Sequence, residues 1–214
     1  MALDKFLDNY NIKIGLEEEI FITNSKGFLI SQSETLSSAL ITMLRENEEL
    51  LKQARNYLFG LQWEPHPSQI EYVTRPVHPS RVKEIVTFAR RILAKAAGSI
   101  SAKIYTGSIH PVQSNPTPLN GTHISVSVFR KDKRRPTIKM IQYIHNHIRN
   151  HLPEIIALTA NSPICDGEKL EIASARLHFS RVLTPSNFAV IKRMPISYVP
   201  VSYTHLTLPT TERV

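Results

Sequence analysis

Apolar and polar residues alternate along residues 12–23 with the two-residue period of a β-strand. Ile12, Ile14, Leu16, Ile20 and Ile22 fall on one face, interrupted by Glu18. Gly15, Glu17, Glu19 and Phe21 fall on the other. Asn24-Ser25-Lys26-Gly27 reads as a hairpin turn, and Phe28-Leu29-Ile30 begins a returning strand. The spacing then predicts one long helix from 34 to about 57, with an apolar stripe of Leu36, Leu40, Met43, Leu44, Leu51, Ala54 and Leu58. Two prolines make 61–67 a loop. A second alternating strand covers 68–74, with Gln69, Glu71 and Val73 on one face and Ile70, Tyr72 and Thr74 on the other. Pro79 opens a second helix, where proline is tolerated at the first position. Its stripe is Val82, Ile85, Val86, Ala89, Ile92, Leu93 and Ala96, and Lys83, Arg90, Arg91 and Lys95 form its basic side.

Residues 103–110 read as a third strand, 111–120 as a Pro/Asn loop and 121–128 as a fourth strand. In the fourth, His123, Ser125 and Ser127 share the polar face. A basic turn at 130–135 precedes a third long helix over about 137–157, with Ile138, Ile141, Ile148, Leu152, Ile155 and Ile156 inward. The order is strand, helix, strand, helix, strand, strand, helix. It predicts an α+β domain with a mostly antiparallel sheet. One sheet face carries Glu17, Glu19, Glu71 and His123, and the helices pack on the other.

Glutamate is disfavoured in strands, so Glu17-Glu18-Glu19 within an apolar strand needs a reason. A solvated sheet edge is one reason and a divalent-cation site is another. Residues two apart on a strand lie about 6.6 Å apart, a spacing that lets both carboxylates reach one cluster.

The totals narrow the classes. With 214 residues, 42% of them hydrophobic, the chain holds enough for one core and one domain. No run approaches a membrane-spanning length, and the first residues lack a secretory apolar run. Cys165 is the only cysteine, so no internal disulfide can form, which fits a reducing cytoplasm. A net charge of +8 favours a polyanionic partner, nucleic acid or nucleotide phosphates. The basic turn and the basic helix side support an alternative, a nucleic-acid-binding module without catalysis. No recognition helix, zinc site or RNA-binding signature accompanies them. No Gly-rich phosphate loop is present either, so a nucleotide needs another holder.

Four ordered motifs carry a resemblance. Gly15-Leu16-Glu17-Glu18-Glu19, Gln69-Ile70-Glu71, Gly121-Thr122-His123-Ile124-Ser125-Val126, and Leu158-Thr159-Ala160-Asn161-Ser162-Pro163 with Gly167 and Ala173-Ser174-Ala175-Arg176 resemble the glutamate–cysteine ligases, in the bacterial and archaeal group that includes the carboxylate–amine ligases. The resemblance implies a glutamine-synthetase-like fold whose antiparallel sheet curves around the active site. It implies ATP and Mg2+ as cofactors, and phosphorylation of the γ-carboxylate of glutamate. An amine, usually that of cysteine, then displaces phosphate. It implies that Glu17, Glu19 and Glu71 are metal ligands, with Glu64 a further candidate, and that His123 lies at a metal or phosphate. Arg176 matches the arginine after Ala-Ser, a catalytic contact to phosphate or a substrate carboxylate, and Arg181 is a second candidate for the nucleotide. Small-molecule substrates, no membrane and a cytoplasmic location follow, and a homo-oligomer stays open. Two departures bear on the acceptor. Ile164 and Cys165 stand where the family has two aromatics, and Leu170 and Glu171 where it has Thr-Gly. Cys165 reads as a small buried hydrophobe rather than a nucleophile.

The family runs well past 300 residues and its later part usually brings a Glu-x-Arg strand. Residues 201–214 resemble a translated sequencing-adapter tail. The expectation is therefore that residues 1–199 form the N-terminal part of a ligase catalytic domain and 200–214 a non-native tail. On that expectation the sheet is incomplete at its C-terminus, the isolated chain is inactive, and its open edge favours aggregation.

Overall fold

The computed structural model describes residues 9–107, 110, 120–132, 137, 143, 146–147 and 150–151, together with four short strands between residues 164 and 207. The sheet is built around β1, Tyr10–Thr23, the alternating stretch that opened the sequence reading. Antiparallel partners flank it. β3, Gln69–Thr74, pairs from Glu17↔Val73 to Phe21↔Gln69. β5, Thr122–Arg130, pairs from Tyr10↔Arg130 to Glu18↔Thr122. The short β4, Lys103–Tyr105, joins the C-terminal end of β1. β2, Leu58–Trp63, forms a hairpin with β3, so the sheet runs β2-β3-β1-β5. Beyond β5, Thr204–Thr207 pairs in parallel and Tyr198–Val201 lies outside it. Ile164–Cys165 and Glu168–Lys169 make a separate two-stranded ladder.

One face of the sheet is covered by helices. α1 is Ser33–Arg45, α2 is Glu48–Tyr57 and α3 is Val82–Ser99. Ile20, Ile22, Ile70 and Tyr72 from the sheet meet Leu36 and Leu40 of α1, and Phe88, Ala89, Ile92, Leu93 and Ala96 of α3, in one core. Most of the α3 stripe is the one its 3.6-residue period predicts, with Phe88 and Ala97 in addition and Val82 and Val86 only half-buried. α3 ends where Ser101 takes a left-handed φ of 58° and Ala102 N–H reaches back to the Ala97 carbonyl.

Three elements differ from the sequence reading. The single helix over 34–57 is two helices. Asn47 is extended and its side-chain oxygen accepts the Leu50 N–H at 2.9 Å. A carboxamide at that position satisfies a free amide of a new first turn, and Glu48 and Glu49 complement its dipole, so a fresh helix start wins over continuation. The chain expected as loop from 61 is already strand. Leu61 and Trp63 lie opposite Tyr72 and Ile70, and only the segment around Pro65 and Pro67 turns. The returning strand after the first turn shrinks to one bridge, Thr23↔Leu29, although the turn forms as expected, with Asn24 Oδ1 accepting from Lys26 and Phe28 N–H and Gly27 at φ +87°.

The third expected strand ends at Tyr105. Tyr143, Asn146, His147 and Asn150 are helical, as the third long helix requires, while its inward-facing isoleucines and Leu152 lie outside the described residues. Among the described residues, no helix is long and apolar enough to cross a membrane.

Candidate metal and phosphate site

The face of the sheet away from the helices gathers acidic residues from neighbouring strands. β1 alternates, so Glu17 and Glu19 point to this face while Glu18 points to the helices. Register then supplies their partners. Glu19 lies opposite Glu71 on β3, and Glu17 lies opposite His123 on β5. Glu64, just past the end of β2, joins them. The sequence reading named all five, and the structure brings all five together. Arg176 and Arg181 lie outside the described residues.

Hydrogen bonds fix several of these side chains. His123 Nδ1 lies 3.1 Å from Glu17 Oε2 and 3.9 Å from Glu71 Oε1. Gly121 N–H donates to Glu19 Oε2 at 2.6 Å, and the Gly121 carbonyl accepts the Glu19 N–H at 3.0 Å. A Cβ at position 121 would stand 3.3 Å from His123 Nε2 and 3.5 Å from Glu19 Oε1. Glycine there permits the close approach of backbone to carboxylate.

The electrostatics follow from crowding. Burial first, and then the charges of Glu17 and Glu64, push the Glu71 carboxyl up to about 7, with His123 opposing and Glu19 adding. Burial and the charge of Glu19 raise Glu64 in the same direction, against His123. Burial opposes a charge on His123, but the Glu17 hydrogen bond and the charges of Glu19, Glu17 and Glu71 outweigh it, and the ring is held above its ordinary value.

Two overlapping ligand sets result. Glu17, Glu71 and His123 form one, and Glu19, Glu64 and Glu71 the other. In each, ligand atoms lie within 4.8 Å of one another, and Glu71 belongs to both. This donor set fits hard divalent cations, which take carboxylate oxygens. A cation would also offset the burial and the neighbouring carboxylate charges that together lift Glu71.

Sequence reasoning missed the supports. Asn120, read as part of a loop, is buried, and its carboxamide bridges Gln69 and the Gly107 carbonyl. Glu18, read as an interruption of the apolar face, is buried there in a charged cluster. Arg90 reaches both its oxygens, the Nε contact being 3.0 Å, and Tyr72 Oη donates to it at 2.6 Å. Glu18 breaking an apolar face was a legible signal, but its partner, 72 residues away, was not.

Residues 117–195 match glutamate-cysteine ligase family 2. The match includes the Gly121–Val126 and Ala173–Arg176 motifs, whereas Glu17, Glu19, Glu64 and Glu71 precede it. The resemblance read from the four motifs is borne out. No curated protein matches the chain. Among solved structures, one described as a novel glutamine synthase homolog superposes with a TM-score of 0.54 at 17% identity, over 75% of this chain and 40% of that one. Apo GmaS without ligand gives 0.51 at 14% identity, over 72% and 39%. A GmaS/ADP complex gives 0.54 at 13%, over 79% and 43%. The chain thus spans about two fifths of the length of these structures. The likeness shows the fold, an α+β arrangement of glutamine-synthetase type with an open, mostly antiparallel sheet.

Proposed function

We propose that this chain, whose residues 117–195 match glutamate-cysteine ligase family 2, carries the cation- and phosphate-binding sheet of an ATP- and Mg2+-dependent carboxylate–amine ligase. The convergence of Glu17, Glu19, Glu64, Glu71 and His123 from adjacent strands carries this reading. The family match and the ADP-bound structural neighbour support it.

In this reading the γ-carboxylate of glutamate takes the terminal phosphoryl group of ATP. An amine, cysteine first among candidates, attacks the acyl carbon. Phosphate leaves with the C–O bond electrons and the amine gives up a proton. Bound Mg2+ would neutralise charge developing on the phosphates.

The chain's own residues prepare that site. Glu71 offers oxygens to both ligand sets, and Glu19 is oriented by the Gly121 peptide. Glu17 accepts a hydrogen bond from the Nδ1 proton of His123. That bond fixes the ring, whose Nε2 lies toward position 121. With the site empty, the surrounding carboxylates hold that ring above its ordinary value, so a cation taking His123 as a ligand would displace its proton. By the resemblance, Arg176 contacts phosphate or a substrate carboxylate and Arg181 the nucleotide. Residues 1–199 are assigned to the ligase domain, small molecules are its partners and the cytoplasm its location.

Mn2+, followed by its electron paramagnetic resonance signal, tests the site on the 214-residue chain. The wild type should bind Mn2+ and bind it more tightly with ATP. Glu17→Gln and Glu71→Gln should each weaken binding at least about tenfold, as loss of a charged ligand predicts. Wild-type affinity in both variants would end this reading. ADP release dependent on glutamate and an amine, assayed on a ligase of full family length that carries this segment, then tests the reaction, with a panel of amines deciding the acceptor.

A further inference from the structure

We propose that Asn120 is a positioning residue that sets one of the two cation ligand sets and leaves the other alone. This rests on the cation reading above.

Asn120 is 2% exposed, and both ends of its carboxamide are engaged. Oδ1 accepts from Gln69 Nε2 at 2.7 Å. Nδ2 donates to the Gly107 carbonyl at 3.0 Å. Gln69 lies on β3 two residues before Glu71, so it shares the strand face that carries the site. The bridge therefore ties β3 to the segment that enters β5, across the end of β1 where Gln69 faces Phe21.

The next residue explains why this matters. The Gly121 peptide grips Glu19 at both ends, donating to its carboxylate and accepting from its amide. Gly121 has no side chain with which to hold that peptide in place. Its neighbour Asn120 does so instead, through its two hydrogen bonds, the one to Gln69 buried. Moving the 120–121 peptide would move the donor at 2.6 Å from Glu19 Oε2 and turn that carboxylate. Outer partners that orient ligating carboxylates are worth about 10–100-fold in metal affinity.

Glu19 belongs only to the set with Glu64 and Glu71. The set of Glu17, Glu71 and His123 does not contain it. His123 Nδ1 is held instead by Glu17, across the β1–β5 pair. Loss of Asn120 should therefore weaken one class of cation and spare the second. A residue that only stabilises the fold would not separate them.

The experiment is a Mn2+ titration of the full 214-residue chain, read by electron paramagnetic resonance, with thermal unfolding measured alongside. Glu64→Gln identifies the class that uses Glu64, and Glu17→Gln the class that uses Glu17. Asn120→Ala should weaken the Glu64 class about 10–100-fold and shift the Glu17 class less than about twofold. Asn120→Asp keeps the shape and the acceptor for Gln69 but loses the donor to Gly107. It should give the same selectivity with a smaller change, and it answers the question should the alanine variant not fold. Equal weakening of both classes with a lower unfolding midpoint would assign Asn120 to fold maintenance and overturn the proposal. Unchanged binding of both would do so as well. Failure of the wild type itself to bind Mn2+ is a different result, because it removes the cation reading and this inference with it.

Discussion

At the scale of single residues, Glu71 decides how the site responds to pH. Its carboxyl is raised to about 7, chiefly by burial and then by Glu17 and Glu64. The fold thus favours the neutral acid. That contribution to stability is fully present below the ordinary carboxylate value of 4.5 and is lost as pH rises through about 7. The cation-free chain should lose stability between those limits, and Glu71→Gln should flatten the trend in a thermal-unfolding series. Cation binding must displace the same proton. Mn2+ affinity should therefore rise about tenfold per pH unit up to about 7 and then level off. An affinity that stays constant from pH 5 to 7 would contradict the coupling.

Elements matter through what they place on opposite sides of one strand. β1 sends Glu17 and Glu19 to the site and Glu18 into the helix-covered core. There Glu18 meets Arg90 of α3 and the Tyr72 hydroxyl. This cluster ties the strand that bears two candidate ligands to the helix behind it. Arg90→Ala would leave a buried carboxylate without its cation. The Arg90 side chain is 44% exposed, so the cost should fall below that of a fully buried pair, at about 2 kcal/mol. Denaturant unfolding measures it, and a midpoint equal to wild type would show the pair to be energetically idle. The end of α3 offers a change of opposite sign. Ser101 holds a left-handed φ of 58° that glycine adopts without strain. Ser101→Gly should stabilise the chain by about 0.5–1 kcal/mol in the same assay.

For the whole molecule, a cation at the candidate site would fasten β3, β1 and β5, strands drawn from segments far apart in the chain. A cation that binds the folded chain and not the unfolded one stabilises by mass action, about 2.7 kcal/mol at a hundredfold excess over its dissociation constant. Mg2+ should raise the thermal midpoint of the wild type in a concentration-dependent way. The rise should vanish in Glu71→Gln, since that residue serves both ligand sets. A midpoint indifferent to Mg2+ would argue against occupation of the site in solution.

Much of this was written in the local pattern. Alternation over 12–23 and 68–74 put Glu17 and Glu19 on one face, and Glu71 on the face opposite Tyr72, because side-chain direction in a strand depends only on the parity of position. The α3 stripe followed from its period in the same way. What the local pattern could not supply was register. That Glu19 meets Glu71, that Glu17 meets His123 106 residues later, and that Asn120 reaches Gln69 are outcomes of pairing between distant segments. Pairing is chosen by the burial of the whole sheet face against α1 and α3. The same pairing makes Leu58–Trp63 a strand, since a sheet edge beside β3 buries Leu58 and half-buries Leu61. The charge state of Glu71 is likewise a tertiary property. It comes from desolvation and from carboxylates on other strands, and neither exists until the sheet has assembled.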